Sequence, residues 1–144
     1  MNEDTLASLI GAMLKCSYKD YTFNGFSNGI GKSVGGSKTH KSGYNGDLRY
    51  LREDETGGKL NLKYKEKDEI TDIASWKELD ESRQEKFIQA LYDYGWKSFV
   101  SQKYGDDKKL LKFCKEDKKT YKHYDHLHIQ GYENNFIKIL KSYE

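Results

Sequence analysis

All four histidines of this chain fall in two places: His40 stands seven residues before Asp47, and His123, His126 and His128 crowd into a six-residue window. Imidazole nitrogens and carboxylate oxygens are the donors a catalytic zinc takes, about three of them, with one position left open for a water. His40, Asp47 and His128 supply such a set. Asp125 and His126 stand beside the last member, and either side chain can carry the proton that such a water gives up. The chemistry these residues suggest is hydrolysis by a metal-activated water.

The chain must then bring them together. A turn through Gly43 and Gly46 can fold His40 back towards Asp47, and closing seven residues costs little entropy. On a strand, residues two apart share a face, so His126 and His128 can point into one cleft while Leu127 faces the core. Asp125 lies three residues before His128, where a bend ahead of the strand aims its carboxylate at the same place. Asp125 and His126 are therefore rival candidates for the general base.

Periodicity supplies the elements around this site. Leu6, Leu9, Ile10, Met13 and Leu14 recur at helical spacing and predict a first helix over 4–16 with that stripe in the core. Residues 24–46 hold over half of the thirteen glycines and read as a long loop. Leu48 and Tyr50, then Leu60, Leu62 and Tyr64, alternate about Glu55-Thr56-Gly57-Gly58 and predict a hairpin with Asp47 at its head. Ser82 and Glu85 form a capping box for a second helix whose face is Phe87, Ile88, Leu91 and Tyr94 and whose end is Gly95. Strands are expected over 96–101 and 126–132, with a solvated lysine- and aspartate-rich excursion over 104–122 between them. A short closing helix is expected on Phe136, Ile137 and Leu140.

Gly35-Gly36-x-x-x-His40-x-x-Gly43-x-x-x-Asp47, followed by His123-x-x-His126-x-His128, resembles the penicillin-insensitive murein endopeptidases. They belong to the wider LAS group, with lysostaphin, D-Ala-D-Ala peptidases and the hedgehog signalling domain. The resemblance implies an α+β fold in which helices flank a small antiparallel sheet carrying one zinc. Its activity would be hydrolysis of peptide bonds in bacterial peptidoglycan. Carried over residue by residue, His40, Asp47 and His128 are the ligands, His126 stands beside the metal water, and His123 supports it. Related D-alanyl peptidases place an acid three before the last ligand, where this chain has Asp125. Ser37 and Lys38 depart from the pattern ahead of the first ligand, which leaves open the bond that is cut.

Composition narrows the remaining classes. At 144 residues the chain is expected to form a single domain, 1–144. Its twelve tyrosines, six phenylalanines and two tryptophans supply core material that a disordered chain lacks. Only three of the 25 basic residues are arginine and 23 acids offset them, so a nucleic-acid partner is not expected. No apolar run is long enough to span a bilayer, and membrane insertion is not expected. Cys16 and Cys114 form no zinc ribbon. Gly29-x-Gly31-Lys32-Ser33 falls short of a phosphate loop, because Phe26 stands where its first glycine belongs.

The expected substrate lies in the periplasm or on the cell wall, and the chain as given shows no signal peptide. It therefore reads as an endolysin or as the antibacterial effector piece of a larger delivered toxin, which would need an immunity protein as partner. The alternatives are a non-catalytic zinc module of the same fold and a metal-dependent nuclease. The histidines that a nuclease motif needs after His128 are absent from the sequence.

Overall fold

Acidic Glu3 and Asp4 in the first turn and Lys15 in the last complement the dipole of the first helix, α1 (Glu3–Cys16). The computed structural model describes residues 3–26, 45–118 and 123–133; the expected closing helix and most of the glycine-rich loop lie outside them. The face that α1 buries is Thr5, Ser8, Leu9 and Ala12. The expected stripe is not that face, since Leu6 and Ile10 are each 45% exposed and Leu14 is 71% exposed. Packing against Tyr94 decides the matter. The ring of Tyr94 comes within 2.5 Å of where a Cβ on Gly11 would stand, and the Ser8 hydroxyl donates to the Tyr94 carbonyl.

The second helix, α2 (Glu81–Asp93), starts two residues earlier than the capping box predicts. Asp80 is the N-cap and accepts from the Arg83 amide, while Glu85 accepts from the Lys112 amide. Gln84, Phe87, Ile88, Ala90 and Leu91 form its buried face, with Tyr94 left partly exposed. Gly95 ends it at φ +114°, a conformation that favours glycine.

The fold is α+β. A five-stranded sheet takes the order β1-β2-β7-β5-β6, from β1 (Phe23–Phe26), β2 (Gly46–Arg49), β5 (Trp96–Ser101), β6 (Cys114–Glu116) and β7 (His126–Tyr132). The expected antiparallel sheet is in fact mixed. β1, β2, β7 and β5 are antiparallel in turn, and β6 joins the edge of β5 in parallel. Two short strands, β3 (Leu60–Asn61) and β4 (Ala74–Ser75), pair in parallel in a separate sheet and lead into a 3-10 turn over Trp76–Glu78.

The expected hairpin between β2 and β3 does not form. After β2 the chain turns towards the segment ahead of α2: Arg52 pairs with Leu79, the Glu53 amide donates to Glu78, and the Leu51 amide donates to the Gln84 side chain. β2 is thereby left to lie between β1 and β7. Leu48, Phe99, Leu127 and Ile129 from the sheet meet Leu9, Phe87, Ile88 and Leu91 from the helices in one apolar cluster. Cys16 and Cys114 are both free thiols.

Candidate metal centre

Register places the site. β2 and β7 pair so that Asp47 stands opposite His128 and Arg49 opposite His126. Side chains directly opposite share a face of the sheet. Leu127 is fully buried on the other face, as the His-Leu-His alternation requires. His128 Nδ1 lies 2.7 Å from Asp47 Oδ1, and His126 Nε2 approaches the same oxygen at 3.6 Å. Both histidines of the motif thus converge on one carboxylate, itself set on the neighbouring strand.

Two more acids complete the cluster. Asp125 Oδ1 lies 2.7 Å from His126 Nδ1, and Asp117 Oδ2 lies 2.7 Å from His123 Nδ1. The ring of His123 packs edge-on against those of His126 and His128, with centroids 4.9 and 5.4 Å apart. Its backbone is held by the hydroxyl of fully buried Tyr50, which donates to the His123 carbonyl at 2.7 Å. Tyr124, next in line, accepts from the Leu62 amide. These two bonds tie the turn before β7 to the residue after β2 and to the residue after β3.

The carboxylates and rings influence one another. Burial drives the His123 pKa below its ordinary value, and the Asp117 hydrogen bond opposes this without reversing it. Burial also resists ionisation of Asp125, yet its hydrogen bond and charge interaction with His126 hold the carboxyl below its usual range. Asp125 is an ionised partner that fixes a proton on His126 Nδ1 and leaves Nε2 turned towards Asp47. The two rivals for general base are thus one hydrogen-bonded pair.

Of the residues named from sequence, Asp47, His123, Asp125, His126 and His128 are brought together, while His40 lies outside the described residues. Among the described residues no group of three His, Cys, Asp or Glu side chains is arranged to hold a metal. The donors fit zinc in kind, being imidazole nitrogen and carboxylate oxygen. They are closer than a loaded pair, because two donors on one tetrahedral zinc stand roughly 3.3 Å apart. The 2.7 Å contact is that of a hydrogen bond between His128 and Asp47, whose proton a cation bound there would have to displace.

Three participants were missed in the sequence. Asp117 lies in the stretch read as solvated, yet its side chain is 7% exposed. Gln130 Oε1 lies 3.3 Å from His128 Nε2, and the Gln130 amide nitrogen donates to Ser98 Oγ at 3.3 Å. Gln130 was within reach of the period-two rule, being two residues beyond His128. Arg49, opposite His126, is committed to Asn24 and the Gly57 carbonyl. Two clefts elsewhere, one walled by Trp76 and Tyr104 and the other beside Cys16, include no histidine.

No family model, curated protein or solved structure matches this chain.

Proposed function

We infer that this chain is a zinc-dependent peptidase that cleaves peptide bonds in bacterial peptidoglycan, with the fold of the LAS group. The observation that carries the reading is the meeting of Asp47, His128 and His126 at one carboxylate oxygen across two paired strands. It joins two motifs that are separated by more than half of the chain. The residues that would hold the ion are His40, Asp47 and His128. Zinc in such a set supplies Lewis acidity, which lowers the pKa of water and polarises a carbonyl.

The chain's own residues account for the proton. Asp125 keeps His126 in the tautomer with Nδ1–H, so Nε2 is free to accept a proton from the attacking water and return it to the leaving amine. The ionised Asp125 carboxylate stabilises the imidazolium formed in between. His126 is therefore the proposed base and Asp125 its positioning residue. His123, held by Asp117, walls the same space. The substrate assigns the place of action to the periplasm or cell wall, as an endolysin or as a delivered antibacterial effector with an immunity partner.

The test incubates zinc-loaded wild type and His128→Ala with purified sacculi and identifies released muropeptides by chromatography and mass. Circular dichroism checks that the variant is folded. Release by wild type alone supports the peptidase, and the masses name the bond. Zinc binding with no cleavage of any wall type replaces this reading with a non-catalytic zinc module.

A further inference from the structure

We propose that Gln130, anchored by Ser98, is a positioning residue that sets the tautomer of His128 and thereby the strength with which the site holds its cation. The inference rests on the metal-centre reading above and extends it to two residues with no role in the sequence motifs. Within β7, His126, His128 and Gln130 share a face, and Ser98 on β5 stands directly opposite Gln130. The row Asp47, His128, Gln130, Ser98 is continuous, with contacts of 2.7, 3.3 and 3.3 Å.

The two nitrogens of a neutral imidazole are coupled: one carries hydrogen and the other a lone pair. For Nδ1 to offer its lone pair beside the Asp47 carboxylate, the hydrogen must sit on Nε2. His128 is 4% exposed, so that N–H needs a partner within the protein. Gln130 Oε1, 3.3 Å away, is placed to accept from it, and its amide nitrogen is in turn directed to Ser98 Oγ. When the cation is absent and the proton lies between His128 Nδ1 and Asp47, Nε2 becomes an acceptor. The amide can then turn its NH2 to the ring, and the serine hydroxyl can donate to the amide oxygen. A side chain with both a donor and an acceptor serves the two states, which neither leucine nor lysine can do. Support of a ligating histidine through its second nitrogen is typically worth ten- to a hundredfold in metal affinity.

The experiment measures zinc dissociation constants by competition with a chromophoric chelator for wild type, Gln130→Leu, Gln130→Glu and Ser98→Ala. It also records 15N shifts of the His128 ring in the zinc-loaded protein. Gln130→Leu is expected to weaken zinc about ten- to a hundredfold. Gln130→Glu, which only accepts, is expected to hold zinc at least as well as wild type, and Ser98→Ala to lose only a few-fold. In zinc-loaded wild type Nδ1 should show the shift of a ligand and Nε2 that of a protonated nitrogen. A Gln130→Leu protein that binds zinc as wild type does, or a ring that ligates through Nε2, overturns the proposal. Failure of wild type to bind any divalent ion removes this proposal together with the metal centre. Zinc binding with the expected Gln130 effects but no wall cleavage removes the peptidase reading alone.

Discussion

Around Arg83 acids meet permanent cations, whereas around His128 they meet rings that carry charge only when protonated. Arg83 makes a two-pronged pair with Asp20 at 2.7 and 3.0 Å, bonds Asp80 at 2.8 Å and donates to the Arg52 carbonyl. Arg52 in turn pairs with Asp54 and Glu78. That cluster ties the start of α2 to the residues after α1 and after β2, and in it two guanidiniums stand among Asp20, Asp80, Asp54 and Glu78. In the histidine cluster, Asp47, Asp117 and Asp125 pair with histidines. Each cluster has a buried polar side chain at its centre, Asp20 in the first and His128 in the second. The first holds permanent cations of its own, while the metal centre proposed above would add one to the second.

The sharpest way to break this comparison is to remove one member from each cluster and follow urea unfolding in the presence of a chelator. Arg83→Ala leaves the Asp20 carboxylate, 3% exposed, without its guanidinium and should cost about 3–5 kcal/mol. Asp47→Asn keeps an oxygen that accepts from His128 Nδ1 and should change stability by less than about 1 kcal/mol. The same Asp47→Asn variant should lose zinc binding. Equal destabilisation by the two substitutions would make the histidine cluster a structural network and end the contrast.

A smaller effect sharpens it from the other side. A ligand held only by the native state raises stability with its concentration, by about 2.7 kcal/mol at a hundredfold excess over Kd. Zinc should therefore raise the melting temperature of wild type and, by the same increment, that of Arg83→Lys. It should leave Asp47→Asn where it was. A rise that survives Asp47→Asn would place the zinc elsewhere on the chain.

The two clusters also differ in how far the sequence revealed them. The bounds of β5 and β7 were legible because period-two alternation and the glycine after α2 are local signals, and the His-Leu-His faces followed from them. The Arg83 network was not legible, since Asp20, Arg52 and Asp80 carry no spacing that marks them as neighbours. The same limit explains two of the departures from the expected fold. The apolar stripe on α1 has the right period, but which face is covered depends on the small residues Ser8, Gly11 and Ala12 meeting the end of α2. The residues around Gly57 and Gly58 do turn, yet Arg52 and Glu53 pair with the segment before α2 and draw the chain away from β2. Asp117 reached the site for a similar reason: a lysine-rich neighbourhood says nothing about which one of its acids turns inward.

The smallest expected effect is acid sensitivity of the Arg83 cluster. Burial of Asp80 resists its ionisation, but hydrogen bonds and charge from Arg83 outweigh this and hold its carboxyl below the ordinary 3.8. As pH falls, the unfolded chain takes up the proton first, so the native state loses the advantage it held above that value. The contribution is present in full above about pH 5 and declines below about pH 4, through the folded pKa. Asp80 is 24% exposed, and solvent screening limits the contribution to about 1 kcal/mol. Asp80→Asn should flatten this part of a stability–pH curve measured in chelator, while Asp47→Asn should leave it in place. A flattening of equal size by Asp47→Asn would mean that the two clusters share their protons and are electrostatically one.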